Sequence, residues 1–144
     1  MLGKIGGFII GIVAGLVAMV AIAYVGGNFF PAPPPAPGDL AEQAASALAS
    51  APLGFKLVIV LCWFLGSLIG AWLAKLISRS GGVAWAVTIV LTLLILANIF
   101  VAAFPTWMAI AAVALPLVGG TIGNGLVRPR AAALPEEAAS TTEV

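Results

Sequence analysis

The sequence predicts an all-α fold: a four-helix transmembrane bundle with a short extracytoplasmic surface helix between helices 1 and 2. Three observations carry that prediction. The chain is 62% hydrophobic and 8% charged, with a mean hydropathy of +1.21, well outside the range of soluble domains. Its six basic and five acidic residues leave several apolar intervals near the ~20 residues that cross a hydrocarbon core. Gly3, Gly7, Gly11 and Gly15 recur every fourth residue, and Gly66, Gly70 and Ala74 repeat the spacing. Residues four apart stack on one helix face, so each ladder is a strip without bulk where another backbone can approach.

The first span is expected over residues 5–25. Lys4 before an apolar stretch and the small-x-small triplet Ala21-Ile22-Ala23 resemble a signal peptide. The run exceeds the ~7–15 residues of an ordinary signal core, so a retained helix is the expectation. Its glycine ladder is a glycine zipper, expected to pack against the second span inside the molecule, with self-association the alternative.

Gly26 and Gly27 are expected to end that helix. The following run, Pro31-Ala32-Pro33-Pro34-Pro35-Ala36-Pro37, cannot be helical, because proline lacks the amide donor and clashes with the preceding turn. It reads as a semi-rigid polyproline spacer rather than a peptide ligand. Asp39 and Glu42 form an acidic capping box. A short helix to about residue 50 follows, with Leu40, Ala44 and Leu48 on one face. The extracytoplasmic loop thus covers residues 28–52.

The second span, residues 53–77, has Lys56 and Lys75 near its ends, where both can snorkel. Ser78-Arg79-Ser80-Gly81-Gly82 is a polar turn. The third span covers 83–104, with Thr88, Thr92 and Asn98 as polar members. After Pro105 the fourth covers 106–127, with Thr106 a candidate cap, Trp107 at the interface, Pro116 loosening the helix, and Gly119 and Gly123 at packing spacing. Residues 1–127 form one domain, and 128–144 is expected to be a disordered cytoplasmic tail. With the N-terminus inside, Lys4, Lys75, Arg79, Arg128 and Arg130 are cytoplasmic and Lys56 alone is outside. That balance sets both termini in the cytoplasm.

Candidate chemistry is sparse. Histidine is absent, removing imidazole bases and the commonest metal ligand. The carboxylates lie in the outer loop or the tail, so no paired acids sit within the spans. Cys62 stands alone in an apolar run, the pattern of a packing residue. Gly119-Gly120-Thr121-Ile122-Gly123-Asn124-Gly125 lacks the lysine of a phosphate loop. A net charge of +1 provides no surface for nucleic acid. No catalytic, cofactor-binding or metal residue is assigned, and no cofactor is implied. One polar pairing is expected: Asn98 and Ala112 are equidistant from Pro105, and Pro116 frees the Ala112 carbonyl, so the Asn98 amide could donate to it across the hairpin. The alternative is a bond from Asn98 to Thr or Ser on another helix. Thr142-Glu143-Val144 resembles a terminal motif read by PDZ domains.

Taken together, the glycine-rich first helix, Phe30-Pro31, Pro52-Leu53-Gly54, Trp63 with Gly66 and Gly70, Asn98, Pro105 with Trp107, and Pro116 with Gly119 resemble a widespread family of small bacterial four-helix inner-membrane proteins. The resemblance extends to residue 127 and implies fold and inner-membrane location, without an activity. An acid and a histidine often found before the Phe-Pro run in that family have no counterpart in residues 23–28. The expectation for function is a non-catalytic structural or accessory subunit, partnered by the lipid bilayer, itself or a larger membrane complex. The alternative is a small transporter or channel. Four short spans resemble the small multidrug resistance transporters, but the first span has no carboxylate where those carry a glutamate.

Overall fold

The computed structural model describes residues 1–31, 34, 37–102 and 104–127. The tail, with Arg128, Arg130 and the Thr142-Glu143-Val144 motif, lies outside the described residues, as does most of the polyproline run. The described chain is all-helical: α1 (Leu2–Phe29), α2 (Leu40–Ser50), α3 (Leu53–Ser78), α4 (Gly81–Ala102) and α5 (Thr106–Leu126). α1, α3, α4 and α5 are long and apolar enough to cross a membrane; α2, with 11 residues, is not.

Boundaries depart from expectation where glycine was read as a stop. α1 continues through Gly26 and Gly27, and the Phe30 amide closes it on the Gly26 carbonyl. The Asn28 side chain adds a bond to the Tyr24 carbonyl at 2.9 Å. Gly26 is retained in the helix because Val58 of α3 occupies the place of its side chain; tertiary packing outweighs a propensity cost of about 1 kcal/mol. Gly81 and Gly82 likewise open α4 instead of forming the turn, which contracts to Arg79, in the left-handed region at φ 53°, and Ser80. Pro105, not Thr106, is the N-cap of α5, and no side chain caps it. The Pro105 carbonyl instead accepts from the Met108 amide at 2.9 Å.

α2 begins as its sequence directs, with the Asp39 carboxylate accepting from the Glu42 amide at 2.8 Å. Its buried face differs from expectation. Leu48 and Ala51 are buried, whereas Leu40 and Ala44 are exposed. Only the C-terminal turns of α2 meet the bundle, so Leu40 projects past it.

α3 lies between α1 and α5, and α4 closes the group by touching all three. The interior has two parts. One consists of Ala71, Ala74, Ala84, Val87 and Leu91, with Phe8 and Ile12 against it. The other consists of Leu48, Val60, Trp63, Ile95, Met108 and Ala112. The bundle's exterior is apolar, including Ile5, Ile9, Val13, Val17 and Val20 along α1.

Candidate functional site

The most constructed feature of the molecule is a pair of seams where α3 meets its neighbours through backbone. In the first, α1 and α3 run antiparallel and their small residues interlock. A β-carbon on Gly7 would fall 2.9 Å from the Ala74 carbonyl oxygen, one on Gly11 2.9 Å from that of Gly70, and one on Gly15 3.0 Å from that of Gly66. The relation is reciprocal: a β-carbon on Gly66 would meet the Gly15 carbonyl and one on Gly70 the Gly11 carbonyl, at 3.0 and 2.8 Å. Carbonyl oxygens therefore stand where side chains would project, the arrangement of Cα–H···O contacts between helices.

Gly3 has no part in this seam. It is exposed, with no atom within 4 Å of its side-chain position, because α3 ends at Ser78, opposite Gly7. The missed member is Gly26, set against Val58. The signal for it was present: Gly26 lies eleven residues, about three turns, beyond Gly15 and so on the same face.

The second seam joins α5 to α3, which run parallel. The side-chain direction of Gly119 is filled by the Phe64 carbonyl, and that of Gly123 by the Leu68 carbonyl. Phe64 and Leu68 are offset by two residues from Gly66 and Gly70, a rotation of about 200°, so the two seams occupy opposite faces of α3. Gly120, about 100° from Gly119 on α5, faces α4 and is filled by Thr88.

The polar residues are distributed differently from expectation. Asn98 is exposed and makes no side-chain hydrogen bond among the described residues; the expected bond to Ala112 is absent. Register explains this. Gly120 faces Thr88, and counting eight residues along each antiparallel helix puts Ala112 level with Leu96, short of Asn98. Ala112 is buried with Ile95 and Met108, while Asn98 turns to a cavity of about 230 Å³ between α1, α3 and α4. The alternative, a bond to Thr or Ser on another helix, is not formed either among the described residues; on its own helix Thr88 donates to the Ala84 carbonyl and Thr92 to that of Thr88, at 3.0 and 2.8 Å. Pro116 is fully buried. Ser67 is fully buried as well, and its hydroxyl has no partner.

At the end holding the first residues, Lys75 donates to the Asn124 main-chain carbonyl, latching α3 to the last turn of α5. The Asn124 amide oxygen is buried without a partner among the described residues, beside Gly81. Cys62 is a buried free thiol. Among the described residues no three His, Cys, Asp or Glu side chains come together. The arrangement can fix helices against one another. Scanned against protein families, curated proteins and solved structures, the chain matches none.

Proposed function

We propose that the chain is a multi-pass membrane protein, a non-catalytic structural or accessory subunit whose glycine seams hold four transmembrane helices together. The observation that carries this reading is the make-up of the interior. Along the bundle it is filled by backbone, alanine, large apolar side chains and three buried hydroxyls, two of which bond within their own helix. Packing contact is the main source of helix association in lipid, where water exclusion contributes little. Both termini are cytoplasmic, since Lys4, Lys75 and Arg79 gather at one end of the bundle and Lys56 stands at the other. The location is a bacterial inner membrane, as the family resemblance implies. The exposed apolar exterior is available to lipid, to a second copy or to a larger complex.

The second reading, a small transporter or channel, draws on Ser67, an unpartnered interior hydroxyl, and on Pro116, which leaves a carbonyl without its helical donor. Reconstitution into vesicles with an uptake or conductance measurement separates the two. Flux above empty vesicles rejects the accessory reading. Mild-detergent purification with mass spectrometry of co-purifying chains tests it directly, with a stoichiometric companion or a defined oligomer expected and a lone monomer counting against it.

A further inference from the structure

We propose that the groove between the first turns of α1 and α4 is a binding site for one anionic phospholipid from the surrounding leaflet. This rests on the membrane reading above and is independent of the accessory role. The groove, about 370 Å³, has a mixed lining: Lys4 and Ser80 at its rim, and Phe8, Val83 and Ala86 along its walls. That order, cation and hydroxyl outermost and apolar surface deeper, matches an amphiphile entering by its tail.

Charge selects the headgroup. Among the described residues this end of the bundle carries Lys4, Lys75 and Arg79, while Asp39 and Glu42 lie at the opposite end. Lys75 is engaged with the Asn124 carbonyl, whereas Lys4 is exposed and meets no carboxylate among the described residues. α1 and α4 run parallel, so both begin here, and neither has an acidic residue in its first turn. Their unsatisfied amides add to the positive potential. α2 is the contrast, with Asp39 and Glu42 at its start.

Depth selects the tail. The groove closes about one turn beyond Phe8, where a β-carbon on Gly11 would fall 3.1 Å from the Val87 Cγ2. A partner helix would need a groove several turns long. An acyl chain fits a short one because it can bend out into the bilayer after two turns of contact.

The test is native mass spectrometry of the full chain, released from micelles containing equal phosphatidylglycerol and phosphatidylcholine with the same acyl chains. One retained phosphatidylglycerol is expected, favoured about five-fold or more over phosphatidylcholine, the factor that one surface lysine near an anionic headgroup contributes. Lys4→Gln should bring the ratio close to one and Lys4→Arg should restore it. Ala86→Phe, which keeps the charge and fills the groove, should abolish retention, and Lys56→Gln should change nothing. Equal retention of the two lipids by the unaltered chain overturns the site, as does a ratio unmoved by both Lys4→Gln and Ala86→Phe. Displacement by millimolar inorganic phosphate would make the site one for a free anion and overturn the lipid assignment. Retention of neither lipid overturns the site alone; the membrane reading is tested separately by carbonate extraction of the full chain, where release into the soluble fraction would strike it.

Discussion

The two halves of the bundle are built on different rules. In the half from Gly7 to Gly15, α1, α3 and α4 meet through Gly11, Gly70, Ala71, Ala74, Ala84 and Val87. In the half beyond Met19, the interior is Trp63, Met108, Ile95 and Leu48, with Trp63 and Phe104 ring centroids 5.8 Å apart and tilted by 56°. The first half closes backbone on backbone along its seam, with its groove outside, between α1 and α4; the second has a cavity of about 230 Å³ open to the surface, and Leu48 of α2 packs at its end. Small residues fix distance and register because a carbonyl has nowhere to move. Large side chains fill volume but can change rotamer, so the same bundle holds one rigid end and one adaptable end.

The sharpest way to break this comparison is to add bulk to each half. Gly119→Leu must displace the Phe64 carbonyl, and since backbone cannot yield, we expect a loss above about 3 kcal/mol, beyond the usual cost of overpacking. Leu94→Phe, beside the cavity, should cost less than about 1 kcal/mol, because volume is available. Reversible unfolding in mixed micelles reads both, and equal losses would erase the distinction. Next in size is Gly11→Ala, whose new methyl would lie 2.7 Å from the Ala74 Cβ and 2.9 Å from the Gly70 carbonyl oxygen. A net loss of about 1 kcal/mol is expected despite the gain in helix propensity.

The difference between the halves also marks what the sequence could convey. Four long apolar helices were legible from charge spacing, because apolar runs of that length have few alternatives. Most of the first seam was legible too, since Gly7, Gly11 and Gly15 share a face by helix geometry alone. Gly3 was not separable from them, because its role depends on where α3 stops. Gly26 and Gly81 were misread as breakers, since propensity carries no information about a neighbour such as Val58. The hairpin register was misjudged because symmetry about Pro105 ignores how the chain turns; Thr88 against Gly120 sets the level instead. The partnerless Ser67 hydroxyl had no sequence signal, as a serine in an apolar span usually bonds its own helix.

Two smaller effects sharpen the contrast at the adaptable end. Asp39→Ala removes the bond to the Glu42 amide and should cost about 1 kcal/mol, confined to α2. Faster amide exchange there, with α3 unchanged, is the expected readout; a global loss would mean that α2 braces the whole bundle. Asn98→Leu deletes a polar group that has no partner among the described residues, so stability should hold within about 0.5 kcal/mol. A larger loss would indicate that Asn98 bonds something beyond this chain.

The effect most diagnostic of the seam carries the opposite sign. Gly3 and Gly7 are one helical turn apart on the same ladder, yet a methyl on Gly3 meets nothing within 4 Å while one on Gly7 would lie 2.8 Å from the Ser78 Cβ and 2.9 Å from the Ala74 carbonyl oxygen. Gly3→Ala should therefore stabilise the helix by about 0.5–1 kcal/mol, through lower backbone entropy in the unfolded chain. Gly7→Ala makes the same entropic gain and must overcome a backbone contact, so it should fall below the unaltered protein. The sign of the difference between the two variants, measured in the same micelles, locates the end of the seam. If Gly3→Ala also destabilised, the glycine contact would extend one turn beyond α3, and something other than α3 would have to be covering it.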